Sequence, residues 1–213
     1  MPIFAGDIMV KYSDGSSANN IIQFGQWFSK GSSKYTHAGI AVSGTKIVEM
    51  DGHGLQEHDL TAENAGIFYD VFHCRIPGVG RGAAETAIMM RGFTDQIGYS
   101  KSEAFTSISR SAGLATTDKV NTLLDNLLAG GSEYYFCSGH VVLCYIIAMQ
   151  QMDAMREGAF PTSKIQAVFG LEDVCYNPSY LHQHLQKSAY FDYVGKFKGA
   201  QCVQPNDVEM QDL

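Results

Sequence analysis

The stretch Glu133-Tyr-Tyr-Phe-Cys-Ser-Gly-His-Val-Val-Leu-Cys-Tyr-Ile-Ile-Ala-Met149 reads as an aromatic approach, a small-residue turn and a long apolar helix. Val141, Val142, Cys144, Tyr145, Ile146, Ile147 and Met149 leave that helix no polar face, which predicts a helix buried at the centre of the fold. Cys137 stands at its start. Ser138 is placed to cap it, and Gly139 permits close approach to the backbone. A thiol at a helix N-terminus feels the positive end of the helix dipole, which favours thiolate. Cys144, further along the same helix, reads as a small core residue. Taken alone, so does Cys137, because a nucleophilic cysteine needs a base.

Seven histidines could supply one. His53 and His58 lie in a turn-rich stretch, His73 lies in a strand pattern, and His182 and His184 fall on what reads as a surface helix. His140 is one turn along from Cys137, so its ring points away from the helix start. His37 differs. It opens a short strand, Thr36-His37-Ala38-Gly39-Ile40-Ala41-Val42, that turns at Gly44-Thr45 and returns as Ile47-Val48-Glu49-Met50. The hairpin carries Glu49 back toward His37, and a carboxylate in an otherwise apolar strand asks for a partner. A half-exposed sheet face for Glu49 fits the pattern equally well.

Around these two segments the chain reads as α+β. Residues 5–12 are a Gly-Asp turn feeding a strand, with Asp7 a turn residue, and 14–17 are a turn. Residues 19–29 have a helical face, and 68–76 alternate as a strand. An antiparallel meander of three to five strands is expected before residue 77. Helices are expected over 83–97, with Ala84, Ala87, Ile88, Met90 and Phe93 inward, and over 118–128, with Leu123, Leu124, Leu127 and Leu128 inward. Residues 98–118 are loop-like. Asn177 caps a helix opened by Pro178. Residues 191–197 form a last strand, and the tail from Gly199 is frayed. One domain, 1–213, with a helical and loop insertion around 80–132, is the simplest division.

The 213 residues are 45% hydrophobic and carry a formal charge of −7, which argues against nucleic acid or an anionic membrane as main partner. No apolar run reaches membrane-spanning length, and the first residues lack the basic and apolar regions of a Sec signal peptide. The five cysteines (74, 137, 144, 175 and 202) contain no CxxC pair, so neither a zinc site nor a disulfide framework is expected. No cofactor and no metal are expected.

Four features in order are Gly6-Asp7-Ile8, Lys34-Tyr35-Thr36-His37-Ala38-Gly39-Ile40, Val48-Glu49-Met50 and Phe136-Cys137-Ser138 before an apolar helix. This order resembles the circularly permuted branch of the NlpC-type papain-like superfamily, which holds the YiiX-type proteins and the lecithin:retinol acyltransferase group. The resemblance covers residues 5–76 and 132–197. It implies a permuted papain-like fold, with an antiparallel sheet or barrel packed on the central helix that carries the cysteine. By it Cys137 matches the nucleophile, His37 the base and Glu49 the residue that orients the base. Gly139-His140 after Ser138 departs from the acidic residue and apolar pair more usual there.

The reaction so implied is acyl transfer through a thioester, with the Cys137 backbone N–H donating to the oxyanion. Tyr134 and Tyr135 are candidates for a second donor. The superfamily suggests two substrate classes, amide bonds in peptidoglycan peptides and lipid acyl groups. A chain without an export signal fits the first as an antibacterial effector. Such a protein would be made in a bacterial cytoplasm, carried by a type VI machine into a neighbour's periplasm, and matched by an immunity protein or a secretion-machine component. The alternatives are a lipid acyl hydrolase or acyltransferase, favoured by an apolar groove beside Cys137, and a non-catalytic binding module. The last would be favoured by burial of Cys137 or by separation of its sulfur from His37.

Overall fold

A computed structural model describes residues 2–12, 35–99, 122, 125–155, 162–170 and 176–203. Its frame is a seven-stranded antiparallel sheet that curls into a half-barrel. The strands in chain order are β1 (Ile8–Tyr12), β2 (Tyr35–Ala41), β3 (Lys46–Asp51), β4 (Gly54–Asp59), β5 (Phe68–Cys74), β8 (Phe191–Lys198) and β9 (Gln201–Cys202). They lie in the order β4-β3-β2-β1-β5-β8-β9. A separate parallel pair joins β6 (Ile97–Tyr99) to β7 (Glu133–Tyr135).

Helices α1 (Val79–Arg91), α2 (Cys137–Met155), α3 (Thr162–Val168) and α4 (Pro178–Lys187) pack with the sheet, and residues 125–128 are helical as well. The fold is therefore mixed, with an antiparallel sheet on a central apolar helix. Among the described residues no helix is long and apolar enough to cross a membrane.

Alternation along the strands divides the sheet into two faces. Ile8, Val10, Ala38, Ile40, Val48, Met50 and Phe72 point toward the helices and share one core with α1 and α2. Met9, Ala41, Ile47, Tyr69, Val71 and Phe197 point the other way and form a smaller core with Ile3 and Leu60. Helix α2 is buried on every side from Cys137 to Met149, as its all-round apolarity requires. It packs along α1 and over β2. Gly6 makes the join to α1 possible: with φ +95, a Cβ there would lie 2.1 Å from the Gly80 carbonyl carbon.

Several expectations are corrected. Helix α1 starts at Val79 and ends at Arg91, because Gly92 closes it and residues 97–99 leave as β6. Ile88 lies on its outer face, 49% exposed, while Val79, Ala83 and Thr86 face inward with Ala84, Ala87 and Met90. Leu128 is likewise exposed where Leu127 is buried. Ser138 does not cap α2: the ladder begins with His140 N–H donating to the Phe136 carbonyl, and the Ser138 hydroxyl donates to the Tyr176 carbonyl at 2.5 Å. Residues 201–202 pair with β8 instead of fraying, and Val203 N–H donates to Lys196 O.

Asn177 does cap α4, accepting from Tyr180 N–H at 2.9 Å with Pro178 following. The expected turn at 14–17, the helix at 19–29, most of the 98–118 loop, and Leu123 and Leu124 lie outside the described residues.

Candidate active site

The sheet brings His37 and Glu49 together through a gap in one strand. β2 pairs with β3 in the register Gly39↔Glu49, Ile40↔Val48, Ala41↔Ile47. His37 is two residues from Gly39, so it sits diagonal to Glu49 on the same face. The Glu49 side chain has to lie back across β2 to reach it. Gly39 leaves that path open: a Cβ there would stand 2.7 Å from Glu49 Cγ and 2.8 Å from the Val48 carbonyl oxygen. His37 Nε2 lies 3.9 Å from Glu49 Oε1. The carboxylate is buried and held from behind. The Asn64 amide donates to Oε2 at 3.3 Å and the Tyr69 hydroxyl to Oε1 at 3.4 Å, and Asn64 also donates to the Tyr69 oxygen at 2.9 Å.

Because the β2–β3 register stops at Gly39, the N-terminus of α2 can dock against the edge of β2 at His37 and Ala38. There the His37 ring and the backbone N–H groups of Ala38 and Ser138 act on the Cys137 sulfur and favour its charged form. Burial alone would push the thiol up. The charge and hydrogen bond of His37, helped by the two backbone donors, outweigh it and hold Cys137 below the ordinary thiol range. His37 moves the opposite way. Burial works against its charge, but the Cys137 thiolate and then Glu49 raise its proton affinity above that of an ordinary imidazole, with Lys11 opposing. The two shifts describe one thiolate–imidazolium pair.

Cys137 is 2% exposed and the His37 side chain 13% exposed, so the imidazole side is the wetter approach to the sulfur. Of the two features that would favour a non-catalytic module, burial of Cys137 is present. Tyr135 is buried, and the side chain of Tyr134 lies outside the described residues.

The other histidines serve different ends. His140 is fully buried beside Cys144, Nε2 to Sγ 3.4 Å, and Cys144 contacts Met90 Sδ at 3.9 Å. Burial pushes His140 down to about 4 and the Cys144 thiol upward, so both are neutral and inert. His73 Nδ1 lies 2.6 Å from Asp7 Oδ1, while Asp7 Oδ2 accepts from Phe4 N–H, so Asp7 is a turn anchor.

His182 is buried rather than on a surface. It lies 2.9 Å from Asp70 Oδ2, which also accepts from the Tyr35 hydroxyl at 2.7 Å, and Tyr193 donates to Oδ1 at 3.0 Å. Its ring stacks on Tyr35 with centroids 3.7 Å apart. This buried polar cluster was not anticipated. Asp70 within the Phe-Tyr-Asp-Val-Phe strand was its one visible sign, a carboxylate among residues that alternate as core. Among the described residues no cluster of three or more His, Cys, Asp or Glu side chains could hold a metal ion.

Comparison with protein families, with characterised proteins and with solved structures finds no match to this chain.

Proposed function

We propose that the chain is a cysteine hydrolase in which Cys137 is the nucleophile, His37 the general base and acid, and Glu49 the residue that orients His37. The observation that carries this is the mutual effect of Cys137 at the start of α2 and His37, which lowers the thiol and raises the imidazole, with Glu49 3.9 Å behind the imidazole. The order of parts supports a permuted papain-like fold of the NlpC type: the histidine strand precedes the cysteine helix, and the sheet is antiparallel.

Attack of the thiolate on an amide carbonyl forms the C–S bond and places charge on the carbonyl oxygen. The first N–H groups of α2 have no acceptor within the helix, and that of Cys137 would donate to the oxyanion. His37 gives its proton to the leaving amine as the C–N bond breaks. It then takes a proton from the water that releases the acyl group.

The substrate we favour is a peptidoglycan peptide, reached by an effector delivered into a competitor's periplasm. One observation favours a second reading: the burial of Cys137 is what a binding module built on the same fold would have. Incubating the wild type and Cys137→Ala with purified muropeptides, and separately with phospholipids, separates the possibilities by product mass. The expected result is muropeptide cleavage by the wild type alone, with His37→Ala slower by about 10²–10⁴-fold. Lipid deacylation lost in Cys137→Ala would move the substrate to acyl lipids. Identical products from the wild type and Cys137→Ala, or muropeptide binding without turnover, would overturn the hydrolase.

A further inference from the structure

Lys11 stands beside His37 on the face of the sheet that carries Met9 and Tyr69. In the β1–β2 register Lys11 is the partner of His37, and in the β1–β5 register it is the partner of Tyr69. Cross-strand partners project to the same face, so the row runs Tyr69, Lys11, His37. Glu49 lies diagonally beyond, held by Tyr69 and Asn64. Lys11 is only partly exposed, and among the described residues no carboxylate lies within ion-pair distance of it. Glu49, the acid on this face, is aimed at His37.

A partly buried ammonium without a counter-ion is costly, and this one faces the imidazole that must carry positive charge for the thiolate pair to exist. Lys11 works against that charge from β1, while Glu49 on β3 and Cys137 on α2 favour it. Lys11 carries the one positive charge of this group that no described carboxylate takes up, and that charge is what an anionic substrate group would neutralise.

We propose that Lys11 recognises a carboxylate of the peptide substrate, placing the scissile amide at Cys137. This rests on the hydrolase reading and narrows it to substrates with a free carboxylate close to the cleaved bond. A carboxylate seated on Lys11 also screens its charge from His37, so the substrate itself would strengthen the pair that attacks it.

The test uses Cys137→Ala as a binding-competent, non-cleaving background and isothermal titration calorimetry. The probes are a peptidoglycan tetrapeptide in free-acid form and the same peptide with its carboxylates amidated. The free acid should bind about tenfold more tightly, and adding Lys11→Met should remove that preference. Lys46→Met, which deletes an equal charge at the exposed start of β3 where it pairs with Glu57, should leave the preference intact. In the otherwise wild-type enzyme, Lys11→Met should raise KM for the free acid about tenfold while changing kcat far less.

Equal binding of acid and amide by the background protein, or a preference that survives Lys11→Met, would overturn the proposal. So would Lys11-dependent binding of a short-chain phospholipid without any for the peptide acid, which would assign the lysine to a phosphate. Acid-selective binding with no turnover by the wild type would instead remove the hydrolase reading and leave Lys11 as a recognition residue.

Discussion

At the scale of the residue, the pair shifts of Cys137 and His37 fix how the thiol should respond to pH. Cys137 sits below the ordinary thiol range, so its thiolate forms at lower pH than in the unfolded chain. Alkylation of Cys137 by iodoacetamide, followed by peptide mass, should rise at lower pH in native protein than in protein unfolded by urea. Turnover should behave differently at the upper end. His37 holds its proton beyond the ordinary imidazole range and then loses it, so hydrolysis should fall there while alkylation stays level. Coincident alkylation profiles in native and unfolded protein would refute the ion pair.

Gly39 gives a second residue-level prediction. In Gly39→Ala the new methyl group collides with Glu49 Cγ and the Val48 carbonyl, so the carboxylate must leave its seat behind His37. The variant should fold, at a cost of about 1–3 kcal/mol. Its Cys137 alkylation profile should shift to higher pH, since Glu49 helps hold His37 charged. An unchanged profile in a folded variant would show that Glu49 does not act on the pair.

At the scale of the element, α4 and β8 are tied to β2 by Asp70 on β5. Its carboxylate takes hydrogen bonds from His182 on α4, Tyr35 on β2 and Tyr193 on β8. Burial would raise this carboxyl, and the three donors outweigh it, so Asp70 lies below the usual carboxylate range. The sign follows from linkage: a lowered folded pKa contributes stability in full above the unfolded value, and that contribution is lost as pH falls through the folded one. Asp70→Asn should therefore cost about 3 kcal/mol at neutral pH. In urea melts the gap from wild type should narrow as pH falls toward and below about 4. Asp7, raised by burial against the pull of Phe4 N–H and His73, contributes with the opposite sign and is common to both proteins. A gap that does not change with pH would mean that the Asp70 hub acts through shape and not through charge.

At the scale of the whole molecule, what could be read in advance follows the range of the interactions. Strands β1, β2, β3, β5 and β8 and helix α2 show in local pattern: alternation, a turn at Gly44-Thr45, an all-apolar helix, and Asn177-Pro178 for α4. Cys137, His37 and Glu49 were nameable because each is chemically out of place in its own segment. Their supports were not. Asn64, Tyr69 and the Ala38 N–H matter only once β2 and β3 part at Gly39 and α2 fills the opening, and no local pattern records that. His182 misled for the same reason: its helix alternates like a surface one, yet Asp70 lies beneath it. The Val79-Gly80-Arg81-Gly82 start of α1 reads as loop until Gly6 is seen to admit Gly80.

The docking of α2 into the opening beside β2 has one more consequence. His37 and Glu49 belong to the first quarter of the chain and Cys137 to its latter half, and the two parts meet where α2 packs on α1 and β2 and where β8 pairs with β5. A peptide-bond cut anywhere between them would leave two pieces, one with a base and no nucleophile, the other with a nucleophile and no base. Chemistry would return only where the pieces found each other, which makes this protein a natural template for a split reporter of proximity.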